Sequence, residues 1–305
     1  MKLKKIGIII LNWNNYDDTK KCVESVLLIK NKVEFNVEIY LIDNNSSDKS
    51  GEKLKKEFSN KVHFFKTRYN GGYTGGNNFG IKQALKNNCE YILVLNNDLE
   101  IENISLTLTD MMDTFKHDSK IGIIGFSIFD YETKKELNVG GFINNIFDKV
   151  LNINTENFSI KPNLILSRQR SVCGCAIAFS KDCLDEIGLF DESFFMYAEE
   201  HDICLRALSF NWKVVKIKNK ESKIYRKTDP VSSNQLIWYY NTRNIFCAYK
   251  KNLSFQKYIF FSTLQVLVFL KQIIIFVFTK KAQISYKIFK GLTDSLFFKN
   301  CKRVK

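Results

Sequence analysis

Short apolar runs alternate with longer amphipathic segments through the first hundred residues, and this alternation constrains the fold more than any other feature. Apolar runs of about four to eight residues are typical of buried strands, whereas apolar positions at helical spacing indicate helices. Strands that are buried on both faces and joined by helices form parallel sheets. The sequence therefore predicts an α/β fold with a mostly parallel, Rossmann-like central sheet and flanking helices. The predicted strands are Ile6–Leu11, Val37–Ile42, Val62–Phe65 and Tyr91–Leu95, and the predicted helices are Asp17–Leu28, Asp48–Phe58 and Asn77–Asn87.

The pattern loosens in the second half of the chain. Asn144–Ser167 is rich in Asn and Lys and has little periodicity, which predicts an excursion or a mobile loop. A predicted strand at Ser171–Phe179 and a predicted helix that ends near Phe210 follow this segment. From about Ser222 onward the chain is basic and aromatic. The sequence thus predicts a helical C-terminal region after the α/β part.

The composition narrows the class of protein. With 45% apolar residues among 305, the chain can bury a sizeable core, which excludes a disordered or fibrous protein. Its 46 Lys and Arg exceed its 32 Asp and Glu, so the formal net charge is +14. This charge favours an anionic partner, which is a nucleic acid, a nucleotide or the anionic face of a bilayer. The eight cysteines, without an N-terminal signal pattern, are typical of reduced cytosolic thiols.

Polar clusters follow three of the four predicted strands. They are Asn12-Trp13-Asn14, Asp43-Asn44-Asn45-Ser46-Ser47 and Asn96-Asn97-Asp98. In open α/β sheets, ligands bind at the carboxyl ends of the strands. One such cluster on its own would serve equally as a turn or a helix N-cap. Three clusters at successive strand ends predict a ligand site.

A glycine-rich segment, Asn70–Asn77, leads into the third predicted helix. Free backbone N–H groups at such a helix start can bind phosphate, although a simple turn before the helix would use the same residues. A dinucleotide fingerprint requires Gly at the spacing G-x-G-x-x-G after the first strand. Here Tyr73 and Thr74 interrupt that spacing and the segment follows the third strand, which disfavours a nicotinamide-binding site.

Two carboxylates, Asp98 and Glu200, are candidates for chemistry. Asp98 would lie at the end of a central strand, where one carboxylate and phosphate oxygens can hold a divalent cation; its alternative role is a helix N-cap. Glu200 lies one turn before an apolar helical stripe that runs from Ile203 to Leu208, so it would face inward. Burial raises the pKa of a carboxyl, which suits a general base, and a structural role in the first helical turn is the alternative.

The neighbours of Glu200 and the cysteine pair have structural interpretations. Asp202 is predicted to pair with Arg206 one turn later. His201 has no His or Cys partner at metal-ligand spacing, so we interpret it as a packing or supporting residue. Cys173-Gly174-Cys175 lacks the paired spacing of a zinc site and is interpreted as part of the core.

Tyr258–Phe278 is nearly all apolar and is about as long as a bilayer-spanning helix. Lys271 lies near its middle, which makes a full crossing costly. Lysines flank the segment on both sides: Lys250, Lys251, Lys257, Lys280 and Lys281. The pattern favours a helix in the cytoplasmic membrane interface. A buried core or dimer helix, and a true span, are the alternatives.

With these segments in place, the chain resembles glycosyltransferase family 2, and most of all the bacterial rhamnosyltransferase-like branch that builds cell-surface polysaccharides. The resemblance extends in order from about residue 6 to residue 250. The matching segments are Ile8–Asn14, Leu41–Asp48, Asn70–Ile81, Leu95–Asp98, Gly188–Arg206 and Tyr239–Asn244.

The resemblance implies a GT-A fold and a hexosyltransferase that transfers a sugar with inversion. The donor would be a nucleotide-diphosphate sugar, dTDP-rhamnose or a UDP-hexose, and the acceptor a glycan or a lipid-linked glycan. The cofactor would be a divalent cation, Mg²⁺ or Mn²⁺. The implied catalytic domain covers residues 1–218, with a nucleotide-sugar half at 1–125 and an acceptor half at 126–218. The basic helical C-terminal region covers 219–305.

The resemblance also implies roles for individual residues. Asp98 would bind the cation, and Glu200 would be the catalytic base. Arg226 stands where related enzymes often have a metal-binding His. Because an Arg cannot ligate a cation, either the cation keeps more water and phosphate ligands, or Arg226 offsets the diphosphate charge, or activity is impaired. The residues that would bind the nucleotide sugar are Asn12, Asn14, Asp43, Asn70, Asn77, Asn97 and Arg243.

Together these inferences predict a metal-dependent, inverting glycosyltransferase of the cytoplasm, peripheral on the inner face of the cell membrane and active in cell-surface polysaccharide synthesis. Two alternatives accompany it. The first is a catalytically impaired relative, which Arg226 and the single Asp of Asn96-Asn97-Asp98 motivate. The second is a basic nucleic-acid-binding protein, whose weakness is that its basic residues surround an apolar segment and form no recognition motif.

Overall fold

The computed structural model describes residues 3–29, 35–137, 146, 148–151, 153, 157–219, 221–227, 235–279 and 281–297. Strands and helices alternate along this part of the chain. The strands are β1 Lys4–Asn12, β2 Phe35–Asp43, β3 His63–Lys66, β4 Tyr91–Asn96, β5 Leu99–Ile101, β6 Ile121–Phe126, β7 Ile128–Asp130, β8 Asn157–Lys161, β9 Leu164–Arg168, β10 Ala176–Ser180, β11 Lys213–Asn219 and β12 Ile224–Arg226. The helices are α1 Tyr16–Leu27, α2 Ser50–Phe58, α3 Gly72–Lys86, α4 Ile104–His117, α5 Lys181–Ile187, α6 Glu199–Ser209, α7 Gln235–Asn252, α8 Phe255–Phe278 and α9 Ala282–Phe297, with a short 3₁₀ helix at Glu192–Phe194.

Within the described residues, nine strands form a central sheet in the order β3-β2-β1-β4-β10-β6-β11-β9-β8. β10 and β9 run opposite to the other seven strands. The register of β1 sets Asn12 beside Asp43 of β2 and Leu11 beside Asn96 of β4. The polar ends of these three parallel strands therefore meet at one edge of the sheet. The predicted α/β fold with a mostly parallel central sheet is confirmed.

Apolar clusters cover both faces of the sheet. Ile8 and Ile10 of β1 pack with helices α1, α2 and α4, whereas Ile9 points to the opposite face and packs with α3, α5 and α6. This alternation follows from the two-residue period of a strand. Burial of each such side chain contributes about 1.5–3 kcal/mol. Because both faces are covered, β1 forms a continuous apolar run in the sequence.

The C-terminal helices pack on the α/β part through a third apolar cluster. Phe194, before α6, belongs to this cluster together with Ile245 of α7, Phe261 of α8 and Ile288 of α9. β12 lies beyond the predicted domain boundary at residue 218, and it pairs with β5 and β7 in a separate three-stranded sheet. The division into 1–218 and 219–305 stays a prediction.

In the segment 144–167 the structure differs from the sequence expectation. The described part of the segment 144–167, expected to be an excursion or mobile loop, contains the β8–β9 hairpin, which joins the sheet through β11. The alternating apolar positions of this hairpin are limited to Phe158 and Ile160 on β8 and to Leu164 and Leu166 on β9. Two five-residue strands carry too few apolar positions to stand out among Asn and Lys.

The cysteines follow the sequence expectation with one exception. Six of them are free, and five of these six are buried, as expected for small core residues. Cys247 on α7 is disulfide-bonded, which departs from the expectation of reduced thiols. The flanking sequence has no paired cysteine spacing from which this bond could be predicted.

Candidate active site

A hydrogen-bond network joins the ends of β1, β2 and β4. Asn12 is buried, and its Nδ2 donates to Asp43 Oδ1 at 2.9 Å. The Thr19 hydroxyl lies 2.8 Å from Asn12 Oδ1, and Asn97 Nδ2 donates to the same hydroxyl at 2.7 Å. The structure therefore brings together the three polar clusters that the sequence placed at strand ends.

Asp43 is an internal anchor of the loop after β2. Its side chain is fully buried, and it accepts a hydrogen bond from the Ser46 backbone at 3.3 Å. Gly51 approaches so closely that a Cβ there would lie 2.4 Å from the Asp43 carboxyl, so the site requires glycine. Asn14 Oδ1 accepts from the Ser47 backbone N–H at 2.8 Å, which joins the loops after β1 and β2.

A cavity of about 610 Å³ opens beside this network. Amides, aromatic rings and two lysines form most of its lining, which contains no acidic side chain among the described residues. Of the predicted donor-binding residues, Asn70 and Asn97 line it directly. Trp13 also lines it and is 51% exposed, a feature to which the sequence analysis assigned no role. The full lining is Leu11, Trp13, Asn44, Asn70, Gly72, Tyr73, Asn96, Asn97, Phe195, Met196, Leu236, Tyr239, Tyr240, Lys287 and Lys290.

The glycine-rich segment is held against this cavity by Asn44. Asn44 Nδ2 donates to Asn70 Oδ1 at 3.0 Å and to the Gly72 carbonyl at 2.9 Å, and Asn44 Oδ1 accepts from the Gly71 N–H at 3.1 Å. Gly72 has a φ of 70°, and a Cβ there would lie 2.3 Å from the Phe195 carbonyl oxygen. Gly72 is therefore required both by its backbone conformation and by its contact with the segment before α6.

Asn77, on α3, is buried and its two side-chain amide atoms have no hydrogen-bond partner among the described residues. The Thr74 hydroxyl, one turn earlier, is also buried and has no hydrogen-bond partner among the described residues. Buried polar groups are almost always paired with protein, water or ligand. The structure thus leaves hydrogen-bonding capacity at the residue that the resemblance assigned to the donor.

Asp98 pairs with Arg226 beside the end of β4. The register of β12 sets Arg226 against Leu99, and Arg226 Nε lies 2.8 Å from Asp98 Oδ2. The other oxygen, Asp98 Oδ1, is buried and has no hydrogen-bond partner in the described residues. This free acceptor fits a divalent cation. The described residues contain no group of three or more His, Cys, Asp or Glu side chains that could hold a metal ion together, so a cation would take its other ligands from phosphate and water.

Glu199 and Glu200 place two adjacent carboxyls at the start of α6. Glu199 is 5% exposed, and burial and the nearby charge of Glu200 raise its pKa well above the ordinary value. The Glu200 side chain is 18% exposed, and burial raises its pKa from an ordinary 4.5 to about 7. Glu200 thus remains accessible while its pKa is tuned toward neutrality, as a general base requires.

Glu200 lies near a neutral histidine and an ionisable thiol, and the charge of Cys173 also raises the pKa of Glu200. His201 Nε2 lies 3.8 Å from Glu200 Oε1, but burial lowers the pKa of His201 to about 3, so the contact is not an ion pair. Cys173 and Cys175 approach within 3.0 Å, and the hydrogen bond from Cys175 lowers the pKa of Cys173 to about 6. Tyr73 donates to the Gly174 carbonyl at 2.5 Å, which links the glycine-rich segment to the cysteine pair.

The segment before α6 is strained and is held by a residue that the sequence analysis left without a role. Phe195, Tyr197 and Ala198 all have positive φ, between 62° and 66°. Asn244 of α7 donates through its single Nδ2 to the carbonyls of Phe194, Met196 and Tyr197, at 3.1, 2.8 and 2.8 Å. The resemblance included Tyr239–Asn244, but nothing in the local sequence indicated that Asn244 would secure the approach to Glu200.

Asn244→Ala is expected to destabilise the protein by about 2–4 kcal/mol, because it removes these hydrogen bonds and frees a strained segment. Denaturant unfolding measures the effect. Asn60→Ala is the matched control, since Asn60 is exposed after α2 and does not have a positive φ, and it should change the free energy of unfolding by less than about 0.5 kcal/mol. Equal effects of the two substitutions would contradict a securing role for Asn244.

Arg243 and the α6 ion pair occupy supporting positions. Arg243 is 1% exposed and its guanidinium stacks on Tyr239 and Tyr240, with 5.6 and 5.0 Å to the ring centroids. Those rings line the cavity, whereas Arg243 itself does not. Asp202 pairs with Arg206 at 2.7 Å, as predicted.

The chain is similar in sequence to known glycosyltransferases. The model of glycosyl transferase family 2 matches residues 7–188. The chain is similar to the low-salt glycan biosynthesis hexosyltransferase Agl10 of Haloferax volcanii, with 27% identity over 209 residues that cover 67% of this chain and 62% of Agl10. The match thus spans less than two thirds of Agl10.

Solved structures resemble the fold at low sequence identity. S. aureus TarS 1–349 superposes with a TM-score of 0.55 and 16% identity, covering 80% of this chain and 65% of that one. The mannosyltransferase PcManGT of Pyrobaculum calidifontis, solved with GDP-Man and Mn²⁺, gives a TM-score of 0.60 and 8% identity, covering 98% and 88%. At such identities the likeness concerns the fold, and the predicted GT-A architecture with its helical C-terminal region is confirmed.

Proposed function

The chain belongs to glycosyl transferase family 2, and from this premise we propose that it is an inverting hexosyltransferase that uses a nucleotide-diphosphate sugar. The observation that carries the proposal is the meeting of three polar strand ends at a cavity of about 610 Å³ whose described lining has no acidic side chain. Such a cavity suits a dianionic diphosphate, and its aromatic walls suit a base and a sugar ring. We place its role in the synthesis of cell-surface polysaccharide.

The donor would lie against the side of the cavity that is formed by the loops after β1, β2 and β4 and by the start of α3 (the strand-end side). Asn70 and Asn97 would contact it directly, whereas Asn77, whose buried amide atoms are unpaired among the described residues, does not line the cavity. Asn12, Asn14 and Asp43 would support the base and ribose through the loops that they join. Arg243 would act through the Tyr239 and Tyr240 rings on which it stacks.

The chemical step would be a single displacement. The acceptor hydroxyl oxygen attacks the anomeric carbon of the donor while the bond from that carbon to the diphosphate breaks. Glu200 takes the hydroxyl proton, and the nucleoside diphosphate leaves on the opposite face. A single displacement inverts the anomeric configuration. The raised pKa of Glu200 matches this role near neutral pH.

A divalent cation, Mg²⁺ or Mn²⁺, would be held by Asp98 Oδ1 together with diphosphate oxygens. When bound, it would neutralise negative charge that develops on the leaving diphosphate. Arg226 holds the other Asp98 oxygen and so keeps that carboxylate oriented while adding a positive charge of its own. The pairing explains how Arg can stand where a ligating His was expected.

A panel of nucleotide sugars, including dTDP-rhamnose and UDP-hexoses, tests the proposal. The donor should raise the melting temperature, more with Mn²⁺ than without, because a ligand that binds only the folded state stabilises it. Transfer to glycan and to lipid-linked acceptors is then followed with that donor. Absence of stabilisation by every donor would contradict the enzyme hypothesis.

The Asp98–Arg226 pair also favours a second candidate, a catalytically impaired relative that binds donor without transferring sugar. Such a protein would show donor-dependent stabilisation but no turnover. The family match leaves little support for a nucleic-acid-binding role, which would require salt-sensitive binding independent of Asp98.

We further propose that the protein is peripheral on the inner, cytoplasmic face of the cell membrane. Within the described residues, α8 is the single helix long and apolar enough to cross a membrane, and 11% of its most apolar stretch is buried. Lys250, Lys271 and Lys281 around it are exposed and suit an anionic surface. Lys251 pairs with Asp191, Lys257 is half-buried, and Lys280 lies outside the described residues. The exposed apolar residues of α8 include Ile259, Phe260, Leu267, Leu270, Ile274, Ile275, Val277 and Phe278.

Introducing Leu267→Glu and Ile274→Glu together is expected to weaken binding to vesicles of anionic phospholipid by about 100-fold, because two apolar side chains leave the bilayer and two negative charges approach it. Vesicle co-sedimentation measures the binding. Leu28→Glu with Phe210→Glu, two exposed apolar residues on other elements, is the matched control and should leave it unchanged. Equal loss in both double variants would contradict a membrane-facing α8.

A further inference from the structure

Two lysines of α9, Lys287 and Lys290, have no assigned role and line the cavity. Both are half-buried, and in the described part of the chain no carboxylate lies within 4.0 Å of either ammonium group. The cavity lining likewise offers them no acidic partner among the described residues. Two unpaired ammonium groups at one cavity wall form a binding position for a group with more than one negative charge.

The lysines lie on the helical wall of the cavity. The strand-end loops and α3 form one side of the lining, and α7 and α9 contribute Leu236, Tyr239, Tyr240 and the two lysines to the other. The proposed direct donor contacts, Asn70 and Asn97, belong to the strand-end side, whereas Arg243 would act through the Tyr239 and Tyr240 rings of the helical side. A separate anionic group therefore has room and charge on the helical side.

The face of α9 that carries the lysines borders an exposed apolar strip. Residues three apart share a helix face, so Lys287 and Lys290 project together. Ile284 and Ile288, on one side of this face, are buried in the C-terminal cluster. Tyr286 and Phe289, on the other side, are 60% and 58% exposed. The positive pair thus lies between the cavity and an apolar surface.

We propose that Lys287 and Lys290 bind the phosphate groups of an acceptor carried on a membrane lipid, whose hydrocarbon chain follows Tyr286 and Phe289 out of the cavity. This inference rests on the proposed function and names the acceptor class as a lipid diphosphate. Neither a free glycan nor a soluble phosphate would use both the charged pair and the apolar strip. The arrangement would bring the sugar end of the acceptor into the cavity from the membrane side.

The test compares full-length protein binding to phosphatidylcholine vesicles that contain a few mole per cent of an isoprenyl diphosphate or, at equal surface charge, phosphatidylglycerol. Wild type should prefer the isoprenyl diphosphate. Lys287→Gln with Lys290→Gln should reduce that preference about tenfold or more, since each lysine supplies a charge-assisted hydrogen bond. Lys55→Gln with Lys56→Gln removes the same charge from exposed positions on α2, outside the cavity lining and away from α8, and should leave the preference intact.

Nucleotide affinity, measured by calorimetry on the same variants, shows whether the two lysines bind the phosphates of the nucleotide donor or those of the lipid acceptor. The double variant at 287 and 290 should bind nucleoside diphosphate as wild type does. A matching loss of nucleotide affinity would overturn the inference, because the lysines would then serve the donor. An unchanged preference for the isoprenyl diphosphate, or the same loss in the control at Lys55 and Lys56, would also overturn it. Failure of the proposed function would appear separately, as absence of nucleotide binding in wild type.

Discussion

Glu200→Gln is expected to lower sugar transfer by about 10²–10⁴-fold while donor binding is retained, because the amide keeps the size of the side chain but cannot accept a proton. Transfer with the donor identified by thermal stabilisation measures the rate, and the donor-induced rise in melting temperature measures binding. Loss of both would indicate a disturbed fold, and unchanged transfer would exclude Glu200 as the base. Unmeasurable transfer in the wild type would favour the impaired relative.

The pH dependence follows from the raised pKa of about 7 at Glu200. A base acts when deprotonated, so wild-type activity should rise through about pH 7 and level off above it. The contribution of Glu200 to the free energy of unfolding should instead fall as the pH rises. A carboxyl whose pKa is raised from 4.5 stabilises the folded state fully below pH 4.5, and this contribution is lost as the pH rises through about 7. The difference in the free energy of unfolding between Glu200→Gln and wild type should therefore favour the variant more at about pH 8 than at about pH 5.

Glu199→Gln is the matched control for Glu200→Gln. The two residues are adjacent, both pKa values are raised, and the substitution is the same. Glu199 is more buried, so its variant should gain stability at high pH yet keep transfer within about tenfold of wild type. The reverse pattern, with transfer lost in Glu199→Gln and kept in Glu200→Gln, would assign the base to Glu199.

Asp98→Asn is expected to reduce transfer by about 100-fold or more and to abolish the extra thermal stabilisation that Mn²⁺ gives in the presence of nucleoside diphosphate. The neutral amide is a poorer cation ligand, and it leaves the positive charge of Arg226 uncompensated beside the cation position. Melting curves with nucleoside diphosphate, with and without Mn²⁺, test the cation effect independently of turnover.

Asp118→Asn provides the control for Asp98→Asn. Asp118 also pairs with a basic residue, Lys213, and is partly buried, but it precedes β6 at the sheet edge opposite to the one where Asp98 follows β4. Its variant should keep the Mn²⁺-dependent stabilisation and full transfer. If Asp98→Asn also keeps full transfer and the Mn²⁺-dependent stabilisation, the prediction is wrong and no cation at Asp98 is needed to balance the diphosphate charge.

The α/β fold and the position of the site were predictable because strand and helix periodicities are local. Asn12, Asp43 and Asn97 could be placed at one sheet edge because parallel strands end at a common edge. The β8–β9 hairpin was not predictable, since its apolar positions are few and its pairing with β11 is non-local. Trp13 stands within a polar cluster in the sequence, but its position in the cavity wall depends on packing.

The sequence by itself determined the α/β architecture, the polar strand ends, the acidic start of α6 and the apolar α8, since each depends on residue types at short spacing. Only the tertiary structure decided which groups face each other across long separations. It paired Arg226 with Asp98, set Asn244 against the strained segment before Glu200, and brought Lys287 to the cavity. These contacts join residues from about 50 to about 275 positions apart along the chain, and no local periodicity specifies contacts at such separations.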